Sequence, residues 1–276
     1  MPPPPRRPSG PAARGDRSGR SPRPQSDRTG RSPRPDGGRQ PRQSRPDEER
    51  RPRLPEPSLP PDIDPRDLDR DARAELRSLP ASLADKVAVH LIAAGRLLDE
   101  DPTVAREHAW YARHLAPRLA VTREAAGITA YRAGDYAAAL AELRAVRRMT
   151  GDPAHLPVMA DAERGLGRPD RALTLARDPD VRRLDPAARV EMAIVASGAR
   201  RDRGEFEAAV VGLQGAALDS TQMQPWTARL WYAYAEALLD AGRRAEALRW
   251  FESVAAIDDE ELTDADERAA ALSTEQ

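Results

Sequence analysis

Residues 127–143 read GITAYRAGDYAAALAEL, and this stretch decides the fold. Apolar residues recur at helical spacing on both sides of the tripeptide Gly134-Asp135-Tyr136. Glycine readily adopts turn conformations, and aspartate is a favoured residue at the start of a helix. The stretch therefore predicts two helices joined by a tight turn.

Equivalent turns recur along the chain and begin at Glu100, Gly134, Gly167, Gly204 and Gly242. Seven positions before each turn start stand small residues: Ala93, Gly127, Ala160, Ser197 and Ala235. Five positions after each turn start stands alanine, at residues 105, 139, 172, 209 and 247. Two helices can pack closely only where the facing side chains are small. The register therefore predicts a series of tightly packed helical hairpins.

This pattern resembles the tetratricopeptide repeat (TPR), a helix–turn–helix unit of about 34 residues. The resemblance covers about Lys86 to Glu261, and the last unit matches best. That unit carries Trp231, Tyr234, Ala235, Ala247 and Phe251 in the expected order. The resemblance implies an all-α fold, a right-handed α-solenoid of about five degenerate TPR-like hairpins. A coiled coil is the competing fold, but Gly or Pro every fifteen residues or so would interrupt its heptads.

Two units depart from the repeat pattern. Pro157 lies early in the first helix of the third unit, where a missing N–H predicts a shortened or kinked helix. The fourth unit is longer than the others, and its connection from Gln214 to Pro225 is predicted to be an extended turn.

Residues 1–60 have a composition unlike the rest of the chain. They hold 16 of the 27 prolines and 15 arginines against seven acidic residues, a local charge of +8. Such a segment buries too little apolar surface to offset its chain entropy. We therefore predict a disordered, Pro/Arg-rich basic arm over residues 1–60.

The remaining residues carry a local charge of −9 and divide into three parts. Residues 61–81 predict an N-terminal amphipathic capping helix that begins at Asp64 with Pro65 in the first position. Residues 82–262 form the predicted TPR-like repeat domain, whose first helix has a capping-box signal at Ser82 and Asp85. Residues 263–276 are predicted to be either a polar C-terminal cap or a tail.

Three roles for the basic arm stay open. It can be a solubilising tail without a specific partner, or it can fold back onto the acidic body and modulate access to a groove there. It can also bind nucleic acid or another polyanion through its arginines. Binding of that kind would be nonspecific, since the arm has no aromatic residue on which a base could stack.

The residue inventory argues against an enzyme. The chain has no cysteine, and its single lysine, Lys86, does not stand in a phosphate-binding loop. The four histidines lack the spacing of a helix-borne metal site. We expect no catalytic residue, no metal and no cofactor.

The sequence also bears on location and origin. The longest apolar run is too short to cross a membrane, which takes about 18 residues or more. We expect a cytoplasmic protein without membrane contact. Forty-three arginines against one lysine indicate a GC-rich genome such as that of an actinobacterium.

The TPR resemblance implies a concave groove lined by the first helix of each hairpin. By register, the groove residues are His90, Glu124, Ile128, Tyr131, Arg132, Asp161, Arg164, Ile194, Arg201, Tyr232 and Glu236. Arg132, Arg164 and Arg201 could form a ladder for a peptide carboxylate, or be ordinary solvated arginines. Tyr232 is the candidate interface anchor.

Taken together, these features favour a non-catalytic scaffold that binds protein or peptide partners through its groove. The alternative is a protein that is tethered to nucleic acid or another polyanion through its arm.

Overall fold

The computed structural model describes residues 54–215, 218, 223–258 and 263–274. Within these residues every regular element is helical, and none is a strand. The helices are α1 (Arg70–Leu76), α2 (Ala81–Arg96), α3 (Pro102–Leu115), α4 (Ala120–Arg132), α5 (Tyr136–Thr150), α6 (Leu156–Gly165), α7 (Pro169–Ala176), α8 (Pro186–Arg201), α9 (Phe206–Gln214), α10 (Thr227–Asp240), α11 (Arg244–Ala255) and α12 (Ala265–Thr274). Most of the predicted basic arm, residues 1–53, lies outside the described residues.

Neighbouring helices pack in the order of the chain. Hairpin contacts join α2 to α3, α4 to α5, α6 to α7, α8 to α9 and α10 to α11. Each second helix also contacts the first helix of the following hairpin, as α3 does with α4 and α7 with α8. Every helix of this series therefore buries apolar residues on more than one neighbour.

The predicted contact register is confirmed by burial. The five small residues before the turns are buried, and the five alanines after the turns have no exposed surface. Four of the five turns have a glycine with a positive φ, between 69° and 78°, at residues 134, 167, 204 and 242. Only glycine adopts this conformation without strain, which explains the repeated glycine at the turn.

The predicted capping helix over residues 61–81 is divided into two pieces. Asp64 caps a 3₁₀ turn at Pro65–Asp67, and Asp69 caps the separate helix α1. Leu68 has an extended backbone between the two pieces. The Asp69 carboxylate accepts the Asp71 N–H at 2.8 Å, so a new N-terminus begins where a continuous helix was expected.

The predicted capping box at Ser82 was wrong. Helix α2 begins at Ala81, and its N-terminus has no side-chain cap. The carbonyl of Pro80 already accepts the N–H groups of Leu83 and Ala84 at 2.9 Å. Ser82 therefore lies inside the first turn, where its hydroxyl cannot cap the helix.

Two further features concern the third unit and the C-terminus. Helix α6 is only ten residues long and has Pro157 in its first turn, as predicted. The C-terminal residues Ala265–Thr274 form α12, which packs on α11 and buries Ala265, Ala269 and Leu272. The predicted extended turn from Gln214 to Pro225 lies partly outside the described residues.

Candidate functional site

Four of the predicted groove residues line one surface depression. Ile194 and Arg201 come from α8, and Tyr232 and Glu236 come from α10. The depression has a volume of about 500 Å³ and also contacts Thr263 and Asp264, just before α12. First helices of successive hairpins therefore bring these four side chains together.

Tyr232 is held at the edge of this depression. Its hydroxyl donates a hydrogen bond to Asp264 Oδ1 at 2.5 Å, and its ring packs edge-on against Phe251 with the ring centroids 5.5 Å apart. Burial, together with the Asp264 carboxylate, raises the pKa of Tyr232. The tyrosine is half-buried, and its hydroxyl is already bonded within the chain.

The three arginines of the predicted ladder all contact carboxylates of the chain itself. Arg132 pairs with Asp99. Arg164 pairs with Asp161 and with Asp202, both at 2.8 Å. Arg201 pairs with Asp240 at 2.6 Å and with Glu236 at 2.9 Å. A partner's carboxylate would have to displace one of these groups.

Each of the three arginines makes at least one pairing that connects successive hairpins, and two of these arginines show the pattern in detail. Asp202 follows α8, whereas Arg164 lies in α6, and Asp240 ends α10, whereas Arg201 ends α8. Burial alone would lower the pKa of Arg164, but hydrogen bonding and charge attraction from Asp202 and Asp161 outweigh it and raise that pKa. The ion pairs therefore hold neighbouring first helices at a fixed spacing.

Three predicted groove residues lie nearer the N-terminal hairpins. Glu124 and Ile128 of α4 line a second depression of about 460 Å³, which they share with residues of α1 and α2. Most of the residues that line this depression are apolar, and Asp69, Asp71 and Glu75 also line it. Tyr131 lies outside this depression, and its hydroxyl donates to Asp161 Oδ2 at 2.6 Å. Burial is the main reason that the pKa of Tyr131 is raised, and the hydrogen bond to Asp161 contributes to the same shift.

The structure places His90 away from any open groove. It is fully buried between α2 and α3, where its Nδ1 lies 2.9 Å from His108 Nδ1. Glu56 covers its other nitrogen, with Oε1 at 3.4 Å from Nε2. The repeat register assigned His90 to the first helix of its hairpin but did not predict its contacts with His108 and Glu56. These residues are separated from His90 by 18 and 34 positions in the sequence.

The contact between the two histidines allows two arrangements of protons, and the groups around the pair influence which one is adopted. A hydrogen bond between two Nδ1 atoms needs one protonated and one bare nitrogen. Glu56 favours a proton on His90 Nε2, and in that arrangement His108 donates from Nδ1 and keeps Nε2 bare. That Nε2 is buried without a partner at hydrogen-bonding distance in the described chain, although the nearby Ser58 backbone favours the charged form.

The pair predicts a pH dependence of stability. Burial lowers the pKa of His90, opposed by Glu56 and assisted by Lys86. Burial also lowers the pKa of His108, assisted by His90 and opposed by Glu107 and the Ser58 backbone. Below about pH 6.5 the unfolded chain therefore binds more protons than the folded chain does. We expect the free energy of unfolding, measured in urea, to be lower at pH 5.5 than at pH 7.5.

A variant isolates this effect from other titrating groups. The double replacement His90→Phe, His108→Leu should reduce the difference between the two pH values, whereas His114→Gln, at an exposed histidine of α3, should leave it unchanged. An equal pH dependence in the wild type and the double variant would contradict the prediction.

Comparisons with known proteins concern the fold alone. No family model matches the sequence, and no curated protein matches it. Among solved structures, the crystal structure of a thermophilic TPR protein from Thermus thermophilus matches with a TM-score of 0.55 and 20% sequence identity. The match covers 67% of this chain and 97% of the Thermus chain.

The fold resembles that of a TPR protein. This likeness supports the fold that the repeat register implied, although at 20% identity it says nothing about a partner. Among the described residues, no three or more His, Asp or Glu side chains are placed to hold a metal ion. None of the described helices combines the length and apolar character that a membrane span needs.

Proposed function

We propose that the protein is a non-catalytic scaffold that binds a protein or peptide partner. The binding face would be built by α2, α4, α6, α8 and α10, the first helices of five TPR-like hairpins in a right-handed solenoid. The likeness to a TPR structure supports this assignment, because such repeats present an extended concave surface to their ligands. We place this activity in the cytoplasm.

The observation that carries the proposal is the depression between α8 and α10. Its polar groups are already paired, since Arg201 binds Asp240 and Glu236. A charged group of the partner would have to replace one of these ion pairs by another. The free energy of binding would therefore gain little from it. The unpaired surface is apolar and includes Ile194 and Ala233. We infer that the partner inserts an apolar side chain between these helices.

A matched pair of substitutions tests this inference. Ile194→Glu introduces a charge into the depression, and Val211→Glu introduces the same charge on α9, where Val211 is 63% exposed. We expect Ile194→Glu to weaken partner binding by about tenfold or more, because a carboxylate would replace the apolar surface that the partner's side chain contacts. Val211→Glu should bind as the wild type does. Binding is measured with partners captured by the full-length chain after nuclease treatment.

Two outcomes would contradict the scaffold proposal. One is equal binding by both variants, which would place the partner elsewhere. The other is capture that disappears with nuclease, as expected for polyanion tethering through residues 1–60. Circular dichroism of both variants excludes unfolding as the cause of lost binding.

A further inference from the structure

Residues 54–60 have no regular secondary structure, and Glu56 among them contacts the hairpin of α2 and α3. Residues 54–58 line a depression together with Arg106, Glu107 and Trp110 of α3. The segment is LPEPSLP, and Pro55 and Pro57 flank a single acidic residue. Proline restricts the backbone to extended conformations, so Glu56 is presented on a stiff chain.

The Glu56 carboxylate meets three donors from two helices. Lys86 Nζ of α2 lies 2.6 Å from Glu56 Oε2, and the Tyr111 hydroxyl of α3 donates to the same oxygen at 3.1 Å. His90 Nε2 faces Oε1 at 3.4 Å. An ammonium, a phenol and an imidazole that converge on one carboxylate satisfy both of its oxygens.

The receiving side chains are built into the hairpin. His90 is fully buried and Tyr111 is 7% exposed, and their rings pack 4.6 Å apart. Lys86 Nζ lies 5.4 Å from the centre of the Tyr111 ring. These contacts among the three donors do not involve Glu56, and they bring the donors together on one face of the hairpin. The Lys86 hydrogen bond is also the main reason that the pKa of Glu56 is lowered.

Apart from Glu56 and the Ser58 backbone beside His108, the segment makes few polar contacts with the hairpin. Residues 54–60 make no main-chain to main-chain hydrogen bond within the described chain. Leu54 and Leu59 are 43% and 42% exposed, and the Glu56 side chain is 44% exposed. Glu56 therefore anchors the segment, and a carboxylate at this depth is accessible to competition from solution.

We propose that Lys86, His90 and Tyr111 form a binding site for the carboxylate of an extended, proline-flanked acidic peptide, which Glu56 of the same chain occupies. The tether keeps Glu56 at an effective concentration in about the millimolar range, so a free peptide binds only after the segment is released. This site is separate from the depression between α8 and α10 and does not depend on the scaffold proposal.

A labelled peptide with the sequence of residues 52–62, PRLPEPSLPPD, tests the site by fluorescence anisotropy. It is titrated with the full-length chain and with a full-length variant in which residues 54–58 are replaced by Gly-Ser-Gly-Ser-Gly. We expect the vacated variant to bind the peptide at least about tenfold more tightly than the wild type does. A peptide with Gln in place of Glu56 should bind the vacated variant at least about tenfold more weakly.

Two further substitutions in the vacated variant complete the test. Lys86→Met should weaken peptide binding by about tenfold, because it removes the charged donor. Arg118→Met removes one positive charge at an exposed position after α3 and should leave the affinity for the peptide unchanged. The proposal is overturned if the vacated variant binds the Glu and Gln peptides equally or binds neither. Binding by the wild type as tight as that by the vacated variant would also overturn it.

Discussion

Gly127→Ala and Leu143→Ala should each lower the free energy of unfolding of the helical hairpins. The double variant should lose less of that free energy than the two single variants lose in sum. Leu143 is fully buried, and truncating such a leucine costs about 2–5 kcal/mol. A methyl group on Gly127 would lie 2.7 Å from two carbons of the Leu143 side chain. Overpacking of this kind costs about 1–3 kcal/mol.

The double variant relieves the clash because the new methyl group occupies part of the space that Leu143 leaves. We expect an interaction energy of about 1 kcal/mol or more in the double-mutant cycle, measured by urea denaturation. Gly95→Ala is the control, since a methyl group there meets nothing within 4 Å. Because Gly95 lies inside a helix, the free energy of unfolding of this variant should be unchanged or higher by up to about 1 kcal/mol. Strict additivity at residues 127 and 143 would contradict the proposed contact.

The contact register could be predicted because close packing leaves its mark on the sequence. Gly127 and Ala139 face helices that approach too closely for larger side chains, so small residues recur at the same offsets in every unit. The glycine turns could be predicted for a similar reason, because a positive φ selects one residue type. Constraints that act locally and repeat in each hairpin can be recognised in a single sequence.

The candidate site could be predicted only in part. The register brought Ile194, Arg201, Tyr232 and Glu236 to one depression, since equivalent positions on stacked first helices become neighbours. It could not predict that Arg201 pairs with Asp240, because that contact depends on side-chain conformations across 39 residues of sequence. The repeat register predicts which side of a helix a residue lies on. Which side chain pairs with it depends on how closely the neighbouring helices pack, and the register does not give that distance.

The carboxylate site at Lys86 was missed for a different reason. Its ligand, Glu56, lies in the Pro-rich segment that composition assigned to a disordered arm, and its donors lie 30 to 55 residues away. The sequence signal was the isolated acid in Leu54-Pro55-Glu56-Pro57, which complements the only lysine of the chain in charge but lies far from it in sequence. The average composition of residues 1–60 is dominated by Pro and Arg, so it gives no sign of a contact made by one acidic residue.

Glu142 should be an ionic position whose partners contribute strongly to the stability of the domain. It is 7% exposed on α5, and its Oε2 accepts from Arg113 Nε of α3 at 3.0 Å and from Arg123 Nη1 of α4 at 2.6 Å. Replacing both arginines by methionine leaves this buried carboxylate without the two donors. We expect a loss of about 3–5 kcal/mol in the free energy of unfolding at pH 7, measured in urea.

A third substitution separates the cost of a buried unpaired charge from the value of the network. Adding Glu142→Leu to the double arginine variant removes the charge and should restore stability to within about 1 kcal/mol of the wild type, because apolar groups can replace a buried ion pair. Arg243→Met is the matched control, since its pair with Glu246 is more exposed to solvent, and it should lower the free energy of unfolding much less than the double arginine replacement does. If the double arginine variant were no less stable than this control, water would be solvating Glu142 and the junction between α3, α4 and α5 would be held by apolar packing alone.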